Sequence, residues 1–283
     1  MRPGSVFYKM SGSGNDFVMF DGHYAQLEDF TPEAIRTICD RRQGAGADGV
    51  IMLDPEAPEG ANFTFHFWNS DGSVGPMCGN GALCATRLAT LIELAPADGK
   101  VVFATPAGLH TGQVRDGRPV IHLPDCPVPR PAPKAETQAG ERSPHLGAPS
   151  VPHLVILVDD VEAVDVERRG PPLRWDLATG PGGANVNWVS PAPTGTYRMR
   201  TWERGVEGET LACGTGAVAC AMVLGLLGEA KAPVRIWTRS CLLLEVDWTA
   251  NGDSATAITL SGEGRLVYRG IVGELPNNGC TAP

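Results

Sequence analysis

Apolar and polar positions alternate along many short stretches of this chain, with the period of two that is typical of β-strands. The clearest stretch is residues 63–68, where phenylalanines stand at every second position. Similar strands are predicted at 6–10, 17–20, 50–53, 101–104, 109–114 and 118–123, and again at 153–158, 185–189, 197–203, 234–238, 242–248 and 255–260. The pattern predicts two successive halves that are rich in strands.

Only a few segments follow the helical spacing of three and four residues. Thr31, Pro32 and Glu33 combine an N-cap, a first-turn proline and an early acidic residue, which predicts a helix that runs to about Arg42. Strongly apolar helices are expected to begin just after Cys78 and to span about 215–227. Each half should therefore contain many strands and one especially apolar helix.

The same short phrase introduces the apolar helix in each half. Residues 77–82 read Met-Cys-Gly-Asn-Gly-Ala and residues 212–217 read Ala-Cys-Gly-Thr-Gly-Ala, so that Cys213 follows Cys78 by nearly half of the 283-residue chain. We interpret this repeat as an internal duplication into two similar domains, with the two cysteines facing each other across a cleft. The proline-rich segment 124–149 is expected to be an extended loop in which the chain crosses from one domain to the other.

Charge and hydropathy narrow the class of protein. The formal net charge is −9, which argues against a nucleic-acid partner, because phosphate binding needs clustered basic residues. The longest apolar run, 217–227, is far shorter than the roughly 20 residues that span a bilayer, so no membrane partner is expected. The N-terminus does not resemble a signal peptide and the cysteines are dispersed, so we expect a cytoplasmic protein with free thiols.

A cysteine followed by Gly-X-Gly-Ala at the start of a helix suits acid–base chemistry. The helix dipole and the unpaired backbone N–H groups lower the pKa of a thiol there, and the glycines let a carboxylate approach closely. Two such sites around one substrate carboxylate would place a thiol on each face of the adjacent carbon, so that one removes a proton and the other returns one. Packing of a buried cysteine would be the preferred explanation of one such motif, but its duplication at half-chain spacing argues against that explanation.

No residue pattern indicates a metal or a coenzyme. The pairs Cys78/Cys84 and Cys213/Cys220 lack the spacing of zinc ligands. None of the four lysines lies in either cysteine motif, where a pyridoxal Schiff base would require one. We therefore expect no metal site and no cofactor.

Further motifs occur in order along nearly the whole chain. They are Lys-Met at 9–10, Gly-Asn-Asp-Phe at 14–17, Gly-Ala-Asp-Gly at 46–49, Asn-Ser-Asp-Gly-Ser at 69–73, Pro-His at 152–153, Ala-Asn-Val at 184–186, Glu-Arg-Gly at 203–205 and Gly-Glu-Thr at 208–210. Together with the two cysteine motifs, they resemble the diaminopimelate epimerase family, which interconverts LL- and meso-diaminopimelate in lysine and peptidoglycan precursor biosynthesis.

The resemblance implies an α/β (α+β) fold of two pseudo-symmetric domains, each a curved mixed β-sheet wrapped around a central helix. It implies an N-terminal domain of residues 1–124 and a C-terminal domain of residues 125–263. It also implies that the C-terminal segment 264–283 returns to the first domain, with its strand at Leu266 to Val272. It further implies an isomerase that needs no cofactor and acts on a small-molecule substrate, diaminopimelate. We expect the enzyme to be a homodimer.

The resemblance also implies a set of site residues. The catalytic pair is Cys78 and Cys213, with His153 and Glu203 setting the protonation of the thiols. The reacting α-carboxylate is held by the backbone N–H groups of Gly79, Asn80, Gly214 and Thr215. The rest of the substrate is bound by Asn15, Asn69, Asn185, Glu203 and Arg204. Turn formation would explain Asn15 and Asn69 about as well, and a hydrogen-bonded core position is the alternative for His153.

Two positions depart from the family pattern. Val151 stands where family members commonly have the asparagine before Pro-His, so that one hydrogen bond to the distal end of the substrate is lost, and Leu83 replaces a common arginine. Three alternatives stay open: another two-thiol amino-acid racemase of the same fold, a non-catalytic amino-acid-binding protein, and a thiol-redox protein.

Overall fold

A computed structural model describes residues 1–96 and 98–275 of the chain. The helices are α1 (Pro32–Cys39), α2 (Gly79–Leu91), α3 (Val166–Arg174) and α4 (Gly214–Leu226). The strands are β1 (Val6–Gly12), β2 (Asn15–Asp21), β3 (Gly49–Asp54), β4 (Phe63–Asn69), β5 (Val74–Gly75), β6 (Lys100–Thr105), β7 (Gly108–Arg115), β8 (Arg118–His122), β9 (Cys126–Pro127), β10 (Arg130–Pro131), β11 (Arg142–Gly147), β12 (His153–Leu157), β13 (Asn185–Ala192), β14 (Thr196–Glu203), β15 (Gly208–Thr210), β16 (Val234–Trp237), β17 (Leu243–Asn251), β18 (Ser254–Ser261) and β19 (Arg265–Ile271).

The chain divides into two compact units. Unit 1 comprises Met1–Pro119 together with the chain from Gly264 onward, and unit 2 comprises Val120–Glu263. The domain limits expected from the sequence, 1–124 and 125–263, stay a prediction. Among the described residues, no helix is both long enough and apolar enough to cross a membrane.

Unit 1 is built on a mixed sheet. In it, β1 pairs antiparallel with β2, β2 pairs parallel with β3, and β3 pairs antiparallel with β4. The strand β4 then pairs antiparallel with β5 and parallel with β6, and β6 pairs antiparallel with β7. The helix α1 lies between β2 and β3 in sequence, and α2 lies between β5 and β6. The late strand β19 pairs antiparallel with β1.

Unit 2 repeats this order of pairings. The strands β11 and β12 pair antiparallel, β12 and β13 parallel, and β13 and β14 antiparallel. The strand β14 pairs antiparallel with β15 and parallel with β16, which pairs antiparallel with β17. The helices α3 and α4 occupy the sequence positions of α1 and α2. This agreement supports the inferred duplication, and the predicted α/β class with two pseudo-symmetric halves is confirmed.

The helices α2 and α4 are buried on nearly all sides. From Gly214 to Leu224, every residue of α4 except Thr215 is buried, as is usual for a helix that is apolar all round. In α2, the buried residues run without a break from Asn80 to Thr86. Each cysteine motif therefore lies at the first turn of a helix that the packing of its unit holds in place.

Two predicted elements need correction, and one helix was not predicted. The helix α1 begins at the predicted cap, where the Thr31 hydroxyl accepts the Ala34 N–H, but it ends at Cys39 because the Asp40 carboxylate accepts the backbone N–H groups of Arg42 and Gln43, each at 2.7 Å. The segment expected to be a loop contains β11, which pairs with β12. The second half also contains α3, which was not predicted because its two internal prolines lower the helix propensity of the segment.

Candidate active site

Cys78 is the N-cap residue of α2 in unit 1. Its backbone is extended, with φ −134° and ψ 121°, and its partly buried sulfur accepts the Gly81 N–H at 3.5 Å. A β-carbon at Gly81 would lie 2.8 Å from Cδ1 of Ile51 on β3. A side chain at this position would force Ile51 to move, so the glycine lets the first turn of α2 lie close to the sheet.

Asn80 and Asn15 lie together beside the start of α2. The buried Asn80 amide donates from Nδ2 to Oδ1 of Asn15 at 2.7 Å, and Nδ2 of Asn15 donates to the carboxylate of Asp48 at 3.1 Å. The buried Oδ1 of Asn80 has no hydrogen-bond partner among the described residues. Unit 1 thus gathers Cys78, Asn80 and Asn15, and offers one buried acceptor that a ligand can use.

A network of charged side chains contacts Asn15 through the Asp48 carboxylate. Arg41 bridges the carboxylates of Asp16 and Asp48 at 2.7 and 2.8 Å, and buried Lys9 pairs with Asp16 at 2.5 Å. Burial alone would raise the pKa of Asp16, but the hydrogen bonds and charges of Arg41 and Lys9 outweigh it and lower that pKa to about 2. The Asp16 carboxylate therefore stays ionised near neutral pH. Its ion pairs with Lys9 and Arg41 hold the chain around Asn15 in place.

The position of Asn69 is consistent with a role in a turn. Its exposed side chain donates to Oγ of Ser73 at 3.0 Å, and its carbonyl accepts the Gly72 N–H at 2.9 Å. These contacts are typical of a polar residue that closes a turn. Its role in substrate binding stays a prediction.

Cys213 is the N-cap residue of α4 in unit 2 and is buried. Burial raises the pKa of its thiol well above the ordinary value, and the negative charge of Glu203 raises it further. The Gly216 N–H and the Thr215 hydroxyl, whose oxygen lies 3.8 Å from the sulfur, lower it only in part. The pKa of this thiol therefore shifts in the direction opposite to that expected from a helix start, because burial outweighs the two hydrogen bonds.

Glu203 lies at the end of β14 and hydrogen-bonds with the Cys213 thiol. Burial raises the pKa of its carboxyl group, while hydrogen bonds from the Thr210 hydroxyl, at 2.6 Å, and from the Cys213 thiol partly lower it. A carboxylate and a thiol that both have raised pKa values lie in contact here. The pair can hold one proton on either group.

His153 is fully buried at the start of β12. Its Nε2 lies 3.0 Å from the Thr215 hydroxyl and its Nδ1 lies 3.1 Å from Nδ2 of Asn187. Burial lowers the pKa of this imidazole to about 3, and the positive charge of Arg204 contributes to the shift. The ring is therefore neutral at physiological pH, and it reaches Cys213 through Thr215.

Asn185 and Arg204 are joined at the ends of neighbouring strands. The buried Oδ1 of Asn185 accepts the backbone N–H of Arg204 at 2.7 Å. The turn after Arg204 is held by buried Arg174, which donates to Glu207 at 3.2 Å and to the Gly182 carbonyl at 3.0 Å. Unit 2 thus gathers Cys213, Thr215, Glu203, His153, Asn185 and Arg204.

Several side chains that support this cluster were not among the predicted site residues. Asn187, Thr210, Arg174 and the hydroxyl of Thr215 all contact predicted site residues. One signal was available, because Asn185 and Asn187 are two apart on a strand and therefore face the same side. Among the described residues, no group of three or more His, Cys, Asp and Glu side chains is arranged to hold a metal ion.

Known proteins resemble the chain over nearly its full length. A family model described as diaminopimelate epimerase matches residues 7–122 and 149–267. Relatives named diaminopimelate epimerase include one from Gemmatimonas aurantiaca, 47% identical over 95% of this chain and 99% of the relative, and one from Aquifex aeolicus, 40% identical over 95% and 98%.

Solved structures share the fold at low sequence identity. A hydroxyproline epimerase from Agrobacterium vitis, with bound trans-4-hydroxy-L-proline, superposes with a TM-score of 0.69 at 18% identity and covers 97% of this chain and 94% of that one. A PhzF-family phenazine biosynthesis protein from Bacillus anthracis has a TM-score of 0.73 at 13% identity, over 96% and 99%. These likenesses concern the fold alone.

Proposed function

Because this chain belongs to the diaminopimelate epimerase family, we propose that it interconverts LL- and meso-diaminopimelate by a two-cysteine mechanism without a cofactor. The observation that carries the proposal is the duplicated site. In each of two units with the same strand pairings, a cysteine caps the N-terminus of the buried helix. A binding protein would need the N–H donors of these helices but would have no use for a second thiol.

The reacting carboxylate is bound by the helix N-termini. The first N–H groups of an α-helix have no intrahelical partner and lie at the positive end of its dipole. At α2 and α4 these groups belong to Gly79, Asn80, Gly214 and Thr215, as the family resemblance implies. Their hydrogen bonds strengthen as negative charge develops on the carboxylate, which stabilises the carbanion formed at the α-carbon.

The proton moves through the two sulfurs. In one direction, one cysteine as thiolate takes the α-proton, so that the C–H bond breaks and an S–H bond forms. The other cysteine as thiol then protonates the opposite face, so that its S–H bond breaks and a C–H bond forms. For the reverse reaction the roles exchange. Glu203 supports the protonation change of Cys213, because the two groups share a proton.

The distal end of the substrate carries a second carboxylate and a second ammonium group. Arg204 offers a planar fork that suits a carboxylate, and Asn185 and Asn69 offer amide donors and acceptors. The unpaired Oδ1 of Asn80 is an acceptor for an ammonium group. This set favours a doubly zwitterionic substrate over an apolar amino acid.

Exchange of the α-proton with solvent tests the proposed function. Purified protein in D₂O without added cofactor should convert LL-diaminopimelate to the meso form and place deuterium at the reacting α-carbon. An amino-acid-binding protein or a thiol-redox protein would cause no exchange. Exchange into proline or hydroxyproline but not into diaminopimelate would identify another racemase of the same fold.

We predict that Val151→Asn lowers KM for LL-diaminopimelate or changes it little. A restored hydrogen bond to a charged distal group is worth about 1.5–3 kcal/mol, and the remaining distal residues already provide most of the binding. Steady-state kcat/KM for LL-diaminopimelate and for monoamino acids checks this in the wild type and in the variant. Val151→Leu is the matched control, because leucine has nearly the shape of asparagine without its polarity. A wild-type preference for an apolar monoamino acid would contradict the substrate assignment.

We further propose a cytoplasmic homodimer. Cys39, Cys126, Cys213, Cys220 and Cys241 are free thiols, which favours a reducing compartment. The strand β19 presents the exposed apolar side chains of Leu266, Val267, Tyr268 and Ile271, a surface that a second copy can cover. Sedimentation velocity tests the assembly, and a monomer at micromolar concentration would contradict it.

A further inference from the structure

The two cysteine motifs have different surroundings although they share one scaffold. In unit 2, the register of the parallel pair β12 and β13 places His153 beside Asn185 and Val155 beside Asn187. In unit 1, the parallel pair β2 and β3 places Phe17 beside Gly49 and Met19 beside Ile51. His153 and Asn187 of unit 2 therefore correspond to Phe17 and Ile51 of unit 1.

The glycines at the helix starts confirm this correspondence independently. A β-carbon at Gly81 in unit 1 would meet Ile51 Cδ1 at 2.8 Å, and a β-carbon at Gly216 in unit 2 would collide with Asn187 Oδ1. The same position of the sheet therefore supports each helix start. At the start of α2, which Cys78 caps, this position holds the aliphatic side chain of Ile51. At the start of α4, which Cys213 caps, it holds the carboxamide of Asn187.

The orientation of the Asn187 carboxamide is fixed by its neighbours. Its Nδ2 donates to the Leu154 carbonyl at 3.3 Å, a group that can only accept, and its Oδ1 accepts the Thr201 hydroxyl at 3.0 Å. The second hydrogen of Nδ2 therefore points at Nδ1 of His153, 3.1 Å away. Nδ1 must carry a lone pair to accept it.

This contact determines the tautomer of His153. A neutral imidazole whose Nδ1 accepts a hydrogen bond carries its proton on Nε2, which then donates to the Thr215 oxygen at 3.0 Å. Because Thr215 accepts this bond, its own O–H hydrogen is free to point elsewhere. The Cys213 sulfur is 3.8 Å from that oxygen.

We propose that Asn187, His153 and Thr215 form a hydrogen-bond chain of fixed direction that points the Thr215 O–H at the Cys213 sulfur, with Asn187 as the positioning residue that sets the direction. This inference rests on the proposed two-cysteine function and deepens it. In the chain, His153 acts as a neutral donor and takes no part as a proton acceptor. The thiolate of Cys213 receives one hydrogen bond from Thr215 and another from the Gly216 N–H.

The hydrogen-bond chain of Asn187, His153 and Thr215 offsets the groups that oppose ionisation of Cys213. Those groups are the Glu203 carboxylate and the Cys220 thiol, both of which raise the thiol pKa in addition to burial. Arg204 acts on the imidazole, whose protonation its charge disfavours. In unit 1 the corresponding Phe17 and Ile51 cannot hydrogen-bond, and the Asn80 amide donates to Asn15 instead. The arrangement of Asn187, His153 and Thr215 therefore has no equivalent at the positions of Phe17 and Ile51 in unit 1.

Nuclear magnetic resonance of ¹⁵N-histidine protein tests the tautomer without turnover. The His153 signal, assigned by its loss in His153→Gln, should show a protonated Nε2 and an unprotonated Nδ1 from pH 6 to pH 9. In Asn187→Asp the new carboxylate attracts a proton to Nδ1, so the signal should change to a protonated Nδ1. A wild-type Nδ1–H tautomer, or an unchanged tautomer in Asn187→Asp, would overturn the proposal.

The pH dependence of alkylation tests whether the hydrogen-bond chain lowers the pKa of the Cys213 thiol. Iodoacetamide labelling of Cys213, followed by peptide mass spectrometry, should give a thiol pKa that rises by about one unit in Thr215→Val and in Asn187→Asp, since about one charge-assisted hydrogen bond is lost. Thr215→Ser keeps the hydroxyl and should leave the Cys213 pKa at its wild-type value. Cys78 in the same samples is the internal reference and should not shift.

The outcomes separate this inference from the proposed function. One outcome is that the wild type exchanges the α-proton of LL-diaminopimelate while the Cys213 pKa is the same in Thr215→Val as in the wild type. In that case the proposed hydrogen-bond chain is wrong and the proposed function stands. If the wild type catalyses no exchange, the function is wrong whatever the tautomer. Should Asn187→Asp fail to fold by circular dichroism, Thr215→Val and the wild-type tautomer still decide, because neither depends on that variant.

Discussion

We expect Cys78→Ala and Cys213→Ala each to lower epimerisation of LL-diaminopimelate by at least roughly 1,000-fold. Inversion needs a proton acceptor on one face of the α-carbon and a donor on the other, and positioned acid–base groups contribute on the order of 10²–10⁴-fold each. The rate of meso-diaminopimelate formation from the LL form, followed by chiral chromatography, checks this expectation.

Deuterium exchange makes the cysteine test sharper. A variant with one remaining thiolate can still remove and return a proton on its own face. Each single variant should therefore exchange the α-proton of one epimer only, and the two variants should prefer opposite epimers. Cys220→Ala, on the same helix as Cys213 but away from the helix start, is the control for losing a buried thiol. Near-normal turnover in either Cys78→Ala or Cys213→Ala would exclude the two-thiol mechanism.

We expect Glu141→Gln to destabilise the protein by about 3–5 kcal/mol at pH 7, because it leaves a buried guanidinium without its counter-charge. Glu141 accepts two hydrogen bonds from Arg169, at 3.1 and 2.6 Å, and one from Trp188 at 3.0 Å. The two charged side chains are only 7% and 9% exposed. Urea unfolding of the wild type and the variant measures the difference.

The same pair should make stability depend on pH. Burial raises the pKa of Glu141, but the hydrogen bonds from Arg169 and Trp188 outweigh it, so the pKa in the folded protein lies below its usual range. The contribution is therefore present above the unfolded pKa of about 4.3 and is lost as the pH falls through the lower folded value. The difference between wild type and Glu141→Gln should shrink below about pH 4.

An exposed ion pair provides the control for this experiment. Glu245 pairs with Arg235 at 2.7 Å, but their side chains are 33% and 59% exposed. Glu245→Gln should cost less than about 1 kcal/mol, as is usual for pairs in contact with water. If Glu141→Gln costs no more than Glu245→Gln at pH 7, the buried pair does not stabilise the fold as argued.

The sequence predicts those features of the fold that depend on local pattern. The alternation at 63–68 indicates β4, the cap at Thr31 marks the start of α1, and the repeated cysteine motif locates α2 and α4. It fails where tertiary packing overrides propensity. The prolines of α3 lie in a helix that an Asp165 cap begins, and a proline-rich segment supplies β11.

The candidate site likewise has features that the sequence predicts and features that it does not. The types of residue that bind a carboxylate and move a proton can be recognised from the motifs alone. The environment of each residue cannot, because it depends on contacts between residues far apart in sequence. Asn187 is 34 residues from His153, and Thr215 is 62 residues from it. The raised pKa of Cys213 likewise results from burial that no local pattern reveals.

The pairing of β19 with β1 has a consequence for synthesis on the ribosome. The strand β1 gains this partner only when residues 265–271 have been translated, after the whole of unit 2. Unit 1 is therefore begun before unit 2 but completed after it. A nascent chain that stalls before residue 265 presents one open edge of β1, and an open edge can pair with another chain.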